Sequence, residues 1–190
     1  MFDDSLKIKD ALQIYFAQNN FNDGGYNDRY FKIILWKISF PLPNIKARVD
    51  AVKIHDIHHI ITEYTTTNKG EAEIGSWEIA SGCGKLWVGW ILNLGSFVIG
   101  LLCYQRALLN AFLAGRKVKT NLCYNTIYDD ALLNKTVGEL RNEIVIFSSR
   151  KNSVSDYLMF ILWSLISIVY HLIIISAFLF AVYKLMSFLF

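Results

Sequence analysis

Three of the four histidines in this 190-residue chain lie within five consecutive positions, and their types and spacing are typical of a metal site. The run from His55 to His59 reads His-Asp-Ile-His-His, and Glu71 follows it after eleven further residues. Imidazole and carboxylate groups are ligands that zinc, manganese, iron and cobalt accept in proteins. The spacing therefore predicts one divalent metal held by His55, Asp56, His59 and Glu71.

A helix would bring these ligands onto one face. His55 and His59 are four residues apart, which places them about 40° apart around a helix axis. Asp56 falls on the same side, which apolar residues share, so the ligands should face inward and need a partner such as a cation. His58 points about 100° away from His59 and is expected at the surface or hydrogen-bonded to a ligand. The alternative is that all four are ordinary polar residues near a capped helix end.

Three further charged residues are candidates for catalytic or supporting roles. Glu63 follows His59 by four residues, so it is either a ligand, an acid–base group or a solvated charge at the helix end. Glu78 lies two turns after Glu71 and is expected to hydrogen-bond a ligand. Arg48 is a candidate for pairing with a carboxylate, although a structural role would also fit it.

The elements that must position these residues are predicted to be helices. One helix should run from Ile45 to Thr62, with Asn44 as its N-cap, and another from Glu71 to Ala80, ended by Gly82. A polar loop joins them, so an antiparallel pair would return Glu71 to the histidines. Four more helices are expected, at residues 3–20, Tyr30–Phe40 (interfacial or core), Arg106–Thr120 and Leu133–Phe147, the last with Thr136 and Glu139 in a capping box.

Two stretches are apolar enough to meet a membrane. Tyr157 to Tyr183 holds 27 residues without Asp, Glu, Lys or Arg, which predicts a transmembrane helix. Arg150 and Lys151 precede it and Lys184 follows, so the metal site should lie on the cytoplasm-like side of the membrane. Residues 86–104 are also uncharged, and either a buried or membrane-embedded core helix or a true span would fit them.

The composition narrows the fold class and the partners. The chain is 54% hydrophobic, its net charge is +3, and no Lys/Arg run is present, which makes nucleic acid an unsuitable partner. The three cysteines form no CxxC pair. We predict an all-α helical bundle with a metal site between two helices and a C-terminal transmembrane helix, whose apolar surface favours a homo-oligomer. The regions would be 1–40 (helical and aromatic), 41–150 (metal-binding) and 157–190 (transmembrane).

Other histidine motifs fit less well. Membrane desaturases and hydroxylases need three histidine boxes, and this chain has four histidines in all. The phosphohydrolases with a His-Asp pair need a separate upstream histidine, and none precedes His55. Zinc peptidases of the HExxH type carry Glu after the first histidine, where this chain has Asp56.

The pattern HDxxH-x11-E resembles the signature of the coenzyme Q (ubiquinone) biosynthesis protein 4 family. The likeness runs from about Phe40 to Ile146. It departs at Glu63, where the family commonly has Gly, and in the hydrophobic tail after Tyr157. Beyond the signature it includes Phe40–Asn44, Arg48, Gly70, Trp77-Glu78, Ala111-Phe112, Gly115-Arg116 and Leu140-Arg141.

The resemblance implies a function at a membrane. It implies an all-helical fold, one metal on the same four ligands, and a site beneath a lipid-binding groove. Its members act in quinone biosynthesis, where they decarboxylate a prenylated benzoate ring and hydroxylate the same carbon. The expected partners are a prenylated or long-tailed aromatic lipid and other quinone-biosynthesis proteins. The alternative is a lipid-binding scaffold that organises a membrane complex and uses the metal structurally.

Overall fold

The structure is a computed structural model that describes residues 1–35, 38–118, 120–124, 126–144 and 151–189. Helices dominate this part of the chain, which confirms the predicted fold class, with a candidate metal site between two helices and a long apolar helix at the C-terminus. The elements are α1 (Ile8–Asn19), β1 (Tyr30–Leu35), β2 (Ile38–Pro43), α2 (Lys46–Thr62), α3 (Asn68–Ser81), α4 (Trp87–Cys103), α5 (Gln105–Gly115), α6 (Asp130–Asn134), α7 (Val137–Ile144) and α8 (Val154–Leu189).

The helix predicted from Tyr30 to Phe40 is wrong, because this segment forms a β-hairpin. Strands β1 and β2 are antiparallel, with Tyr30 opposite Pro43 and Leu35 opposite Ile38. Aromatic and β-branched residues favour strands, and proline is tolerated on an edge strand but not inside a helix. Of the two prolines that were expected to stop a helix, Pro41 lies within β2 opposite Lys32, and Pro43 is the last residue of this strand.

The two helices that carry the predicted ligands lie close to their predicted bounds. Helix α2 begins one residue later than expected, and α3 begins at Asn68, where Thr67 Oγ1 accepts from the Gly70 amide at 3.2 Å. Gly82 ends α3 as predicted. Asn44 is not the N-cap of α2, a position that Ile45 occupies. The Asn44 side chain instead donates to the Gly25 and Asp28 carbonyls in the loop before β1, and it accepts from Arg48.

Two predicted helices near the C-terminal part of the domain are shorter or divided. Helix α5 ends at Gly115 rather than Thr120. The helix predicted at Leu133–Phe147 is two helices, α6 and α7, and residues 145–147 lie outside the described part of the chain. The break arises at the predicted capping box, which is confirmed. The Thr136 amide donates to Glu139 Oε2 at 2.7 Å, and the Glu139 amide donates to Thr136 Oγ1 at 3.1 Å.

Two clusters of buried side chains make up the core. The first joins α1, α2, α6 and α7 around Trp77 of α3, so the N-terminal helix packs against the metal-site helix. The second joins α3, α4 and α5, and the first half of α8 packs against it. The metal-site helices thus lie where the two clusters meet. The division into three regions stays a prediction.

Helices α4 and α8 account for the two apolar stretches. Helix α4 has 17 residues, about 25 Å of rise, which is short for a bilayer core of about 30 Å. Helix α8 is long and apolar enough to cross a membrane, as predicted. Only 6% of its most apolar 18-residue segment is buried, whereas the core helix of a soluble protein is mostly buried.

Arg141 of α7 ties the C-terminal end of α2 to the N-terminus of the chain. Its guanidinium donates to the carbonyls of Ile60 and Ile61, to Asp4 Oδ1 at 2.6 Å and to Glu63 Oε1 at 2.6 Å. Glu63 ends α2 with φ +63°, a left-handed conformation that favours glycine. The ion pair with Arg141 therefore offsets the backbone cost of a glutamate at this position.

Replacing Glu63 by glycine and by alanine separates these two effects. Both variants lose the pair with Arg141, but only alanine keeps a Cβ in the left-handed region. We expect Glu63→Gly to be more stable than Glu63→Ala by about 1 kcal/mol, measured as the free energy of unfolding in mild detergent. Equal stabilities would show that the backbone at this position is not strained.

Close packing of α3 against α5 depends on Gly115. A Cβ built there would lie 2.5 Å from the Trp77 carbonyl oxygen and 2.8 Å from Ala80 Cβ. We expect Gly115→Ala to lower the free energy of unfolding by about 1–3 kcal/mol through overpacking. Gly95 of α4, whose Cβ would meet no atom within 4 Å, is the matched control. Gly95→Ala should be neutral or stabilising by up to about 1 kcal/mol.

Candidate metal centre

Three donor groups from α2 and α3 converge on one point. The Nε2 atoms of His55 and His59 lie 3.1 Å apart, and they lie 3.4 and 3.3 Å from the Glu71 carboxylate oxygens. Together they form a group that can hold a metal ion, with all ligand atoms within 4.8 Å of one another. Bonds of about 2.0–2.2 Å at tetrahedral or octahedral angles hold neighbouring donors about 3.0–3.5 Å apart. The observed spacing therefore fits one divalent ion.

Hydrogen bonds on the far side of each imidazole orient the free nitrogen towards this point. His55 Nδ1 donates to Glu78 Oε2 at 3.1 Å, and His59 Nδ1 donates to the Tyr64 carbonyl oxygen at 2.8 Å. Because both partners are acceptors, each Nδ1 carries the hydrogen and each Nε2 can present a lone pair. Two rings fixed in this way have the tautomer that a metal ligand needs.

Glu78 is the hub of the network behind the ligands. Its carboxylate is 3% exposed, yet it accepts from His58 Nδ1 at 2.5 Å and Asn93 Nδ2 at 2.6 Å in addition to His55. His58 Nε2 in turn accepts from the Leu122 amide at 3.3 Å, which leaves its hydrogen on Nδ1. His58 was predicted either at the surface or hydrogen-bonded to a ligand. The surface position is wrong, because the side chain is fully buried, where it donates to Glu78.

Asp56 is next to His55 in the sequence, but among the described residues the group that can hold a metal comprises only His55, His59 and Glu71. Its Oδ2 accepts from the Tyr26 hydroxyl at 2.6 Å, and the residue is 6% exposed. Burial raises the pKa of this carboxyl, against the opposing effects of Tyr26 and the two histidines. Asp56 therefore borders the candidate centre with one oxygen held by Tyr26, and its predicted role as a fourth ligand stays a prediction.

Electrostatics favour a cation at this point. Without a bound ion, burial alone would raise the pKa of Glu71, but Nε2–H hydrogen bonds and positive charge from His55 and His59 outweigh it and bring the pKa to about 2. A metal ion would take the place of these Nε2 hydrogens, because a ligating imidazole must give up the proton on its donor nitrogen. Burial would also raise the pKa of Glu78, but charge and hydrogen bonds from His55 and His58 outweigh it and hold this pKa well below the usual range. Burial disfavours the charged form of His55, yet the two carboxylates raise its pKa well above the ordinary value. Two carboxylates are thus charged around the imidazoles.

A cavity of about 360 Å³ lies in front of the donor atoms. His55, Asp56, His59, Glu71 and Glu78 give it polar groups, and apolar side chains complete its walls. Tyr15 also lines the cavity, and its ring stacks on the His59 ring with centroids 5.7 Å apart. The contributions of α4 and the residue before it are Leu86, Gly89, Leu92, Asn93 and Ser96.

The other candidates have different surroundings. Arg48 lines the cavity, where its guanidinium stacks over the Phe31 ring at 4.0 Å and donates to Asn44 Oδ1 at 2.8 Å. Glu63 does not line this cavity, and its carboxylate is paired with Arg141. It therefore fits a structural role at the end of α2 better than an acid–base role.

Sequence reasoning missed several residues that complete the centre. Asn93 of α4 and Tyr26 of the N-terminal loop hold the carboxylates of Glu78 and Asp56, and Tyr15 of α1 covers His59. These residues are at least 15 positions from the groups they contact, so no local spacing points to them. The one available signal was that an uncharged apolar stretch contains a single asparagine, Asn93.

Comparisons with protein-family models, with curated proteins and with solved structures found no match to this chain.

Metal binding tests the centre directly. We expect the detergent-purified protein to bind one divalent ion and Glu71→Gln to lose it, measured by metal analysis and titration. Glu78→Gln should weaken binding about 10–100-fold, because an amide cannot accept from all three donors around it. Glu73→Gln is the matched control on α3, since Glu73 pairs with Lys69 and lies outside the group. Equal affinity in all three variants would refute the site.

Proposed function

We propose that this protein is a membrane-anchored, metal-dependent enzyme of quinone-type lipid biosynthesis. Its substrate would be a benzoate ring with a prenyl or other long apolar tail, which it would decarboxylate and hydroxylate at the same carbon. The proposal combines the site geometry with the resemblance to the coenzyme Q biosynthesis protein 4 family. The observation that carries it is the convergence of two oriented imidazoles and a carboxylate at one end of a cavity that α4 walls.

The cavity offers complementary groups for such a ring. Arg48 supplies a cation at the wall, held by Asn44 and by the Phe31 ring, and this cation suits a ring carboxylate. Leu86, Leu92 and Gly89 supply apolar surface for the tail. Arg48 would therefore bind the polar ring of an amphipathic substrate, and the apolar wall would bind its tail.

A divalent ion held by His55, His59 and Glu71 would supply Lewis-acid stabilisation of negative charge on a ring oxygen. Zinc, manganese, iron and cobalt all accept this donor set, and Asp56 is the predicted fourth ligand. Tyr15 and the α4 wall would exclude water from the ring, which strengthens the electrostatic interactions inside the cavity.

The proposed reaction has two steps. In the first, the bond between the ring carbon and the carboxyl group breaks, its electron pair stays on the ring carbon, and that carbon takes up a proton as CO2 leaves. In the second, the new ring hydrogen is replaced by hydroxyl in a two-electron oxidation. Dioxygen and a two-electron donor would serve as co-reactants, with one water released.

The activity test uses protein in lipid vesicles loaded with one divalent metal at a time. We expect release of labelled CO2 from a prenylated hydroxybenzoate carrying the label in its carboxyl group, and at least about a 100-fold loss in Glu71→Gln. Glu73→Gln should match the parent protein. The same ring without its tail should react more slowly, because the apolar wall then contributes no binding.

A second candidate function is a non-catalytic lipid-binding or scaffold protein. This candidate is favoured by the origin of the three donors, which come from α2 and α3, because a bound ion would then link the two helices and stabilise their packing. In that case Glu71→Gln and His59→Ala would lower the thermal stability of the protein, while the parent would release no labelled CO2 with any metal. A parent protein that turns over substrate would exclude this candidate.

A further inference from the structure

Helix α8 is longer than a membrane needs, and its two halves have different surroundings. Its 36 residues rise about 54 Å, against a bilayer core of about 30 Å. In the first half, Met159, Phe160, Trp163 and Tyr170 pack against the second core cluster. Residues 172–188 are all exposed. The packing stripe thus ends near Tyr170, and the described part of the helix beyond it is exposed.

The start of α8 is fixed to the domain. Asp156 is 1% exposed, and its Oδ1 accepts from Arg116 Nε at 3.3 Å. Its Oδ2 accepts from the Ser153 amide at 2.8 Å, which caps the helix. The helix runs from Val154 to Leu189 without proline or glycine, so no hinge residue separates the docked half from the exposed half. The domain and the membrane helix therefore have a fixed relative position.

Interfacial residues on α8 locate the bilayer along it. Trp163 and Tyr183 are side chains that prefer the membrane–water interface, and the 20 residues from 164 to 183 rise about 30 Å. Lys184 follows directly and can extend into the far headgroup layer. This places the near interface at Trp163, within the half that packs on the domain.

Helix α4 crosses α8 at that level. Trp90 stacks on Trp163 with ring centroids 5.1 Å apart, the Ser167 hydroxyl donates to the Leu94 carbonyl at 3.0 Å, and Phe97 packs on Phe160 at 5.8 Å. From Trp90 to Phe97 the partner on α8 moves first forward and then back. The contacts do not advance together along both helices, as they would in an aligned pair, so α4 runs across α8. If α8 spans the bilayer, as the proposed function has it, α4 is then inclined towards the plane of the membrane.

The outer face of α4 suits lipid. Ile91, Leu92, Ile99 and Leu102 are 39–73% exposed, and no charged residue interrupts the helix. Helix α8, which packs against α4, also exposes apolar residues such as Leu165. Basic residues flank the helix, with Lys85 before it and Arg106 after it. An apolar face between basic ends is typical of a helix that lies in the interface of a bilayer with anionic lipid.

We infer that α4 is an interfacial membrane helix that lies across the transmembrane helix at Trp163, with its outer face in the acyl chains of one leaflet. The inference rests on the membrane anchoring in the proposed function. The opposite face of α4 walls the metal cavity, so the cavity would sit one helix thickness above the lipid tails. Leu92, which lines the cavity and is also 40% exposed, marks the side from which a tail would enter.

Depth-dependent fluorescence quenching tests this placement without any enzyme assay. The exposed Cys103 is changed to Ser, while Cys83 and Cys123 stay in the protein because they are buried. One exposed cysteine at a time is then introduced at Ile99 on α4, at Phe178 in the unpacked half of α8 or at Ile127 as an aqueous control, and the protein without an added cysteine gives the background labelling. Each protein is labelled with an environment-sensitive dye and reconstituted into vesicles with nitroxide lipids, labelled either near the headgroup or near the chain end. Circular dichroism checks that each variant keeps its helix content.

We expect the Ile99 label to lose most fluorescence to the shallow nitroxide, the Phe178 label to lose most to the deep nitroxide, and the Ile127 label to lose little to either. An Ile99 label that behaves like Ile127 would overturn the inference, as would one that is quenched most by the deep nitroxide. Energy transfer between Ile99 labels of different copies, without quenching by lipid, would show that a second copy covers this face instead. Absence of quenching at Phe178 would refute the membrane anchor itself, whereas loss of metal dependence alone would leave the placement of α4 intact.

Discussion

The site depends on one buried carboxylate, that of Glu78. It accepts hydrogen bonds from three side chains on two other segments, His55 and His58 on α2 and Asn93 on α4. A carboxylate buried without donors would be costly and would take up a proton. Because all its partners are in place, it stays charged and holds His55 in the tautomer that directs Nε2 outward. The metal-ligand geometry is therefore a consequence of packing between α2, α3 and α4.

The same network connects the centre to the long apolar helix α8. Asn93 holds Glu78 from one side of α4, and the neighbouring residue, Leu94, accepts from Ser167 of α8. A shift of α8 relative to the domain would thus reach the carboxylate that orients His55 through two adjacent residues. In a helix without charges, these two polar contacts fix the register of α4 against its neighbours, since apolar packing alone tolerates sliding more readily.

Local sequence patterns predicted those features that depend on local geometry. The facing of His55 and His59 follows from a spacing of four residues, and the Thr136–Glu139 capping box follows from a spacing of three. The return of Glu71 follows from a short polar loop between two helices. The hairpin at Tyr30–Pro43 was mistaken for a helix, because short apolar runs with aromatic residues fit both periods. Pro41 and Pro43 were read as a helix stop, but both lie in β2, where an edge strand tolerates proline.

Contacts between residues far apart in the sequence determine the features of the site that local sequence patterns could not predict. The surface position considered for His58 came from its direction on an isolated helix, but Trp77 and Leu122 cover that side of α2, and the ring becomes the fully buried donor to Glu78. Asp56 points towards the apolar side as expected, yet Tyr26, thirty residues earlier, takes one of its oxygens. Such partners belong to the tertiary fold, so their identity requires the packed structure.

The difference between Asp56 and Glu71 follows from which neighbours each carboxylate meets. Tyr26 donates to Asp56 from outside the donor group, whereas Glu71 has its oxygens within 3.3–3.4 Å of the two imidazole nitrogens. A hydroxyl donor is neutral and can release the carboxylate oxygen when a stronger partner binds, since a hydrogen bond contributes about 1 kcal/mol net. Glu71 and the two histidines therefore define where an ion would sit, and the role of Asp56 as a fourth ligand stays a prediction.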